Sequence, residues 1–154
     1  MTAPDEQDVR LDDTLAFLQV IWRLDHELQT VSKRMQSELG LTGLQRLVLR
    51  LVGKNPGISA GHLARTLHLH PSTLTGVLDR LEGQKLLRRT VDKEDRRRAL
   101  FRITAAGSTL LSRRGGTVEH AVTRLLAQEP EGRIATVRVV LDELVSILGR
   151  PGNS

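Results

Sequence analysis

Apolar residues recur at three- and four-residue steps along most of this chain, and the interruptions mark its joints. Between Asp12 and Leu39 the positions Leu15, Leu18, Trp22, Leu28, Val31 and Met35 keep a mostly helical rhythm. The spacing predicts one long amphipathic helix, opened by the acidic pair Asp12-Asp13 and closed by Gly40. A single small core would struggle to cover a helix of that length. Thr42-Gly-Leu-Gln45 has the spacing of a capping box, with Thr42 accepting from the Gln45 amide and the Gln45 side chain reaching back. The stripe Leu44, Leu47, Val48, Leu51, Val52 follows, until Asn55-Pro56-Gly57 stops the helix. Ser59 is placed to cap a short helix over 60–67, with Leu63, Ala64 and Leu67 inward. His68-Leu-His-Pro71 then connects to another helix, with Pro71 near its start, where a missing N–H does no harm. Leu74, Val77, Leu78 and Leu81 give that helix an inward face at i, i+3, i+4, i+7.

The rhythm changes at residues 86–91 and 99–103, which read as two short strands around the turn Asp92-Lys-Glu-Asp95. Helical spacing returns after Thr104 and runs to about Ala127 through Leu110, Leu111, Val118, Ala121, Val122 and Leu125. Gly115-Gly116 lies inside this segment and costs roughly 2 kcal/mol of helix propensity. A bend or a close helix approach is expected there. Glu129-Pro130 breaks the pattern, and Ile134, Val137, Leu141, Leu144, Val145 and Leu148 mark a last helix. Residues 1–10 read as a disordered tail and 149–154 as a second tail. The fold class that results is mostly α with a small β-hairpin wing.

Composition narrows the class. Phe17, Trp22 and Phe101 are the full set of aromatic residues, so the core is built from Leu, Val, Ile and Ala, which suits packed helices. No run approaches the ~18 apolar residues of a membrane span, and the acidic N-terminus lacks a signal-peptide apolar region. A cytoplasmic protein is expected. With no cysteine, disulfides, thiol redox chemistry and thiolate metal sites are excluded.

Charge changes the picture most. The stretch 85–102 holds eight basic residues against three acidic ones, a surplus equal to the +5 of the whole chain. A basic projection on an otherwise neutral body is a surface for a polyanion. Two short helices joined by a tight turn, followed by this hairpin, are the parts of a winged helix-turn-helix over 41–104, whose second helix enters the major groove of double-stranded DNA. The outward positions of that helix are Ser72, Thr73, Thr75 and Gly76, then Asp79 and Arg80. Short hydroxyls can donate to phosphates or base acceptors, and Gly76 leaves room for close approach. The blander reading makes the hydroxyls ordinary helix-start residues.

Four stretches now carry a more specific likeness. Leu41-Thr-Gly-Leu-Gln45, Gly57-Ile-Ser-Ala-Gly-His-Leu-Ala64, Leu74 through Arg89, and Asp95-Arg-Arg-Arg-Ala-Leu-Phe-Arg-Ile-Thr104 with Gly107 follow one another as in the MarR family of bacterial transcription regulators. The chain resembles that family over nearly its full length. In the family an Asp-x-Arg marks the wing tip, and here it falls on Asp95 and Arg97. A carboxylate two residues away could hold the Arg97 guanidinium in a fixed pose for a narrow minor groove. Lys93, Arg96 and Arg98 would then touch the DNA backbone. The rival for this turn is a solvated loop with an exposed ion pair worth under about 1 kcal/mol.

The resemblance implies a homodimer joined through helices in 11–40 and 105–148, acting as a repressor at a pseudo-palindromic operator and released by a small aromatic or anionic effector. Trp22 and His26, four apart on the first helix, and Arg46 on the second are candidate effector-binding residues. Trp22 can equally be a packing residue, and Arg46 a surface or phosphate-facing one. His62, His68 and His70 crowd one turn, but no carboxylate–histidine set maps onto a metal site, so no metal and no cofactor is expected. The competing classes are a constitutive or architectural DNA-binding regulator, an enzyme, and a protein-interaction module. An enzyme needs a converging nucleophile, base and oxyanion donors; here the histidines are scattered and no Gly-rich phosphate loop occurs.

Overall fold

The computed structural model describes residues 11–149. Along them run α1 (Asp13–Leu39), α2 (Gly43–Lys54), β1 (Ile58–Ser59), α3 (Ala60–Leu67), α4 (Pro71–Gly83), β2 (Leu87–Val91), β3 (Ala99–Ile103), α5 (Ala105–Ser112), α6 (Val118–Gln128) and α7 (Glu131–Leu148). Residues 1–10, and 150–154 of the expected second tail, lie outside the described residues. No described helix is long and apolar enough to cross a membrane. The chain divides between Arg113 and Arg114 into two compact units.

Local chemistry sets most boundaries of the first unit. Asp12 accepts from the Leu15 N–H at 2.8 Å and Gly40 closes α1 in the left-handed region at φ 73°. Both halves of the Thr42–Gln45 capping box form, at 3.2 and 2.9 Å. Ser59 caps α3 through the His62 N–H, and Thr104 caps α5 through Gly107. Each such cap satisfies one amide that the first helical turn would otherwise orphan, worth about 1 kcal/mol.

The core gathers Leu41, Val48, Leu49, Val52, Leu63, Leu74, Leu78, Leu81, Leu87 and Phe101 from α2, α3, α4 and the sheet. On α2 the buried face is Gln45, Val48, Leu49 and Val52, while Leu47 is half exposed. Of the expected stripe Leu44, Leu47, Val48, Leu51, Val52, the two valines are buried and Leu44 and Leu51 pack against the core; only Leu47 is displaced, its place taken by Leu49, which packing against α1, α4, α5 and β3 selects. The sheet has three strands in the order β1-β3-β2, not two. β1 is only two residues long and pairs antiparallel with β3, Ile58 opposite Phe101 and Ser59 opposite Leu100.

The segment after Thr104 is also corrected. It is two helices, α5 and α6, separated at 113–117, where Gly116 takes φ 72° and Thr117 starts α6 by accepting from the His120 N–H. α5 packs on α2, with Leu110 and Leu111 against the core. Gly107 permits this: a Cβ there would collide with the Leu86 carbonyl oxygen and come within 2.7 Å of Ile103 Cγ1. The second unit consists of α6 and α7, joined at Glu129-Pro130, and neither helix buries a residue.

Candidate nucleic-acid interface

α4 is built to be gripped from one side. Leu74, Val77, Leu78 and Leu81 are buried, so Ser72, Thr73, Thr75, Gly76, Asp79 and Arg80 face out. Its cap is His70. Nδ1 accepts from the Ser72 N–H at 3.3 Å, and with Nδ1 an acceptor the Ser72 hydroxyl, 2.7 Å away, is the donor to it. Thr75 donates its hydroxyl to the Pro71 carbonyl at 2.9 Å. Two of the three outward hydroxyls therefore spend their proton within the helix, and only their lone pairs remain for a ligand. Thr73 keeps its full capacity among the described residues. At Gly76 a Cβ would meet nothing within 4 Å, so no packing inside the chain asks for glycine there.

The wing loop between β2 and β3 is ordered by its aspartates. Asp92 Oδ1 accepts from the Glu94 N–H and Asp95 Oδ1 from the Arg97 N–H, both at 3.0 Å, while the Asp92 N–H donates to the Arg98 carbonyl at 2.9 Å. Such local carboxylate–amide bonds mimic a backbone turn. The expectation that Asp95 holds the Arg97 guanidinium is thereby corrected. Asp95 holds the Arg97 backbone instead, because its short side chain reaches the amide two residues on more directly than a long flexible terminus. Lys93, Arg96 and Arg97 project without an ion pair among the described residues, and Arg98 lies 3.8 Å from Asp92, an exposed pair of little energy.

Arg89 joins the two parts. From β2 its guanidinium reaches Asp79 at 2.7 Å and Glu82 at 3.1 Å on α4, and it lies 5.3 Å from the centroid of the Phe101 ring. The arginine bridges two carboxylates on the flank of α4, offsetting one of their two charges, and ties the hairpin to that helix. The sequence held a partial signal: Asp79 and Glu82 are three apart and so share a helix face. That Arg89 points at them depends on how the hairpin folds back.

The three candidate effector residues do not converge in this unit. Trp22 and His26 are exposed on α1, Trp22 by 65 %. Arg46, by contrast, is 0 % exposed. Its Nη1 donates to the Leu110 carbonyl at 3.1 Å and its Nη2 to those of Leu111 and Arg113, at 3.0 and 2.6 Å. They lie at the C-terminal end of α5, where the Leu110 carbonyl already accepts from the Arg113 N–H at 3.2 Å and where a cation is also favoured by the helix dipole. Arg46 is therefore a strut between α2 and α5 and not a surface residue open to an anionic ligand. As for the three histidines, His68 ends α3 in the left-handed region, His70 caps α4 and His62 is exposed on α3. No group of three or more His, Cys, Asp or Glu among the described residues could hold a metal ion.

Comparison with known proteins agrees with this geometry. A family profile described as MarR family matches residues 39–98. An HTH-type transcriptional repressor of Mycobacterium tuberculosis (strain ATCC 25618 / H37Rv) is 30% identical over 117 residues, covering 76% of this chain and 83% of that protein. Among solved structures, MepR of S. aureus in complex with DNA superposes with a TM-score of 0.69 at 21% identity, covering 89% of this chain and 98% of MepR. PcaV of Streptomyces coelicolor, in complex with its natural ligand, gives 0.71 at 24% identity, covering 90% and 97%. The two structures establish a shared fold.

Proposed function

Because the chain belongs to the MarR family of DNA-binding transcription regulators, we propose that it works as a homodimeric repressor of a pseudo-palindromic operator. α4 enters the major groove with Ser72, Thr73, Thr75, Gly76 and Arg80, and Arg97 at the wing tip enters the adjacent minor groove. Lys93, Arg96 and Arg98 bind phosphates, while Asp95 shapes the loop that presents them. One observation carries the reading. Arg89 ties the base of the wing to α4, so a groove-sized helix and a cationic loop are presented side by side.

Dimerisation is supported by apolar side chains that the single chain leaves in water. On α1 these are Phe17, Val20, Leu24 and Leu28; on α6 and α7 they include Val122, Leu125, Leu141 and Val145. Scattered singly they would need no explanation, but on helices that bury almost nothing they mark an association surface on each unit. A two-fold dimer sets two copies of α4 about one helical turn apart, roughly 10 bp. Repression follows from occupying promoter DNA, and the named mycobacterial relative is a repressor.

Release by a small ligand is the finer part of the proposal, supported by the ligand complex of PcaV. A ligand that prefers a dimer whose α4 spacing misfits consecutive grooves lowers DNA affinity by population shift. Trp22 and His26 are the effector-facing residues retained; Arg46 is not. Trp22 is the only tryptophan of the chain, so its emission reports both events. Selection of duplexes from a random library should yield a pseudo-palindrome with steeply salt-dependent affinity. Trp22 emission should blue-shift with protein concentration and quench with an aromatic carboxylate that releases the operator. A monomer at micromolar concentration, or salt-independent failure to bind any duplex, would overturn the reading. Operator affinity indifferent to every aromatic acid would favour a constitutive regulator.

A further inference from the structure

The outer face of the three-stranded sheet carries charge that the fold itself does not need. Antiparallel pairing sets Arg88 directly opposite Arg102. Residues so placed share a face, with Cβ atoms about 4.5–5.5 Å apart, and like charges there are destabilising. The inner face accounts for itself, since Leu87 and Phe101 are buried and Arg89 is neutralised by Asp79 and Glu82. Arg88 and Arg102 lie on the other face. Both are exposed, and neither guanidinium has a hydrogen-bond or ion-pair partner among the described residues. The strand positions sharing that face are Thr90, Leu100 and Ser59, none of them acidic. The Arg102 guanidinium also lies along Gly57, where a Cβ would stand 3.3 Å from its Nη2.

We propose that Arg88 and Arg102 form a second phosphate-binding site on the outer face of the wing sheet, engaging the sugar–phosphate backbone of duplex DNA that flanks the operator. The inference rests on the reading of the wing tip given above and extends it. An anion bridging the two guanidiniums removes the repulsion that the bare sheet tolerates, and each phosphate contact releases condensed counterions. Guanidinium is suited to this, because its fork of N–H donors matches phosphate oxygens. Arg88 precedes the wing loop by four residues, about 13 Å of extended strand, so the backbone it meets is separate from the stretch that the tip enters. The contact carries no sequence preference.

The test compares two duplexes by fluorescence anisotropy: the selected operator alone, and the same operator with about one helical turn, ~10 bp, of arbitrary sequence at each end. The wild-type protein is set against the double variant Arg88→Gln/Arg102→Gln. On the extended duplex the variant should bind about tenfold more weakly, with a salt slope lower by about two, while the two proteins bind the bare operator alike. The single variant Arg88→Glu, which sets a carboxylate opposite Arg102, should melt higher than wild type and lose the same flank-dependent affinity. Equal affinity and slope for both proteins on the extended duplex would overturn the proposal. So would an equal loss on both duplexes, which would move the arginines inside the operator footprint. Failure of wild type to bind either duplex would overturn the parent reading and this one with it.

Discussion

Gly76→Ala separates folding from DNA binding because the two should move in opposite directions. Gly76 is the sixth residue of the thirteen in α4 and has ordinary helical backbone, since the positive-φ glycines are Gly40, Gly57 and Gly116. An added methyl meets no atom within 4 Å, so there is no steric cost inside the chain. What remains is helix propensity, which favours alanine by about 0.8–1 kcal/mol in a helix interior. For a chain of this size that corresponds to a rise in Tm of about 2–4 °C. Against DNA the same methyl projects from the outward face of α4. If the helix backbone approaches base edges at Gly76, the intrusion costs about 1–3 kcal/mol, as for other overpacked contacts, or about five- to 150-fold in Kd. Thermal unfolding followed by circular dichroism, together with anisotropy on the selected operator, reads both quantities from one preparation. A variant that melts higher and binds the operator as wild type does would refute close approach at this position. One that melts lower would refute the open exposed face itself.

The wing tip offers a finer distinction. Asp95→Asn keeps the oxygen that accepts from the Arg97 N–H, so it should bind the operator at least as well as wild type, whereas Asp95→Ala should weaken it; a large loss in the asparagine variant would restore the ion-pair picture. Arg97→Ala should lower affinity and reduce the salt slope by about one unit, measured as log Kd against log salt. Arg46→Met abandons three carbonyls at the end of α5 and should destabilise by about 3 kcal/mol or more in urea titrations; a change within 0.5 kcal/mol would show that the strut is idle, ~0.5 being the scatter of ordinary surface substitutions. Gly107→Ala, forced against the Leu86 carbonyl, should lower Tm, the reverse of the Gly76 variant, at a cost of about 1–3 kcal/mol.

Why some features were legible from the chain, and others not, follows from the range of the interactions. The caps at Thr42 and Ser59 act over three residues, so each was readable on the spot. The buried face of α4 needed only a helical period. The period on α2 was compatible with two faces, and contacts with four other elements decided between Leu47 and Leu49. The Gly115-Gly116 pair announced a disturbance, but whether it would bend a helix or divide it depended on where α5 docks. β1 was invisible because two residues have no periodicity; it exists because β3 offers it an edge.

The linear order of residues was sufficient for the helix-turn-helix, the hairpin and the concentration of positive charge between 85 and 102, all of which arise from neighbours a few residues apart. It could not assign the purpose of individual arginines. Arg46, Arg89 and Arg88 are chemically identical, yet one is sealed against carbonyls 64 or more residues away, one bridges two carboxylates, and one faces a like charge across the sheet. A guanidinium on a long flexible stem takes its role from whatever the folded chain brings within its reach, and only the packing of distant segments decides that.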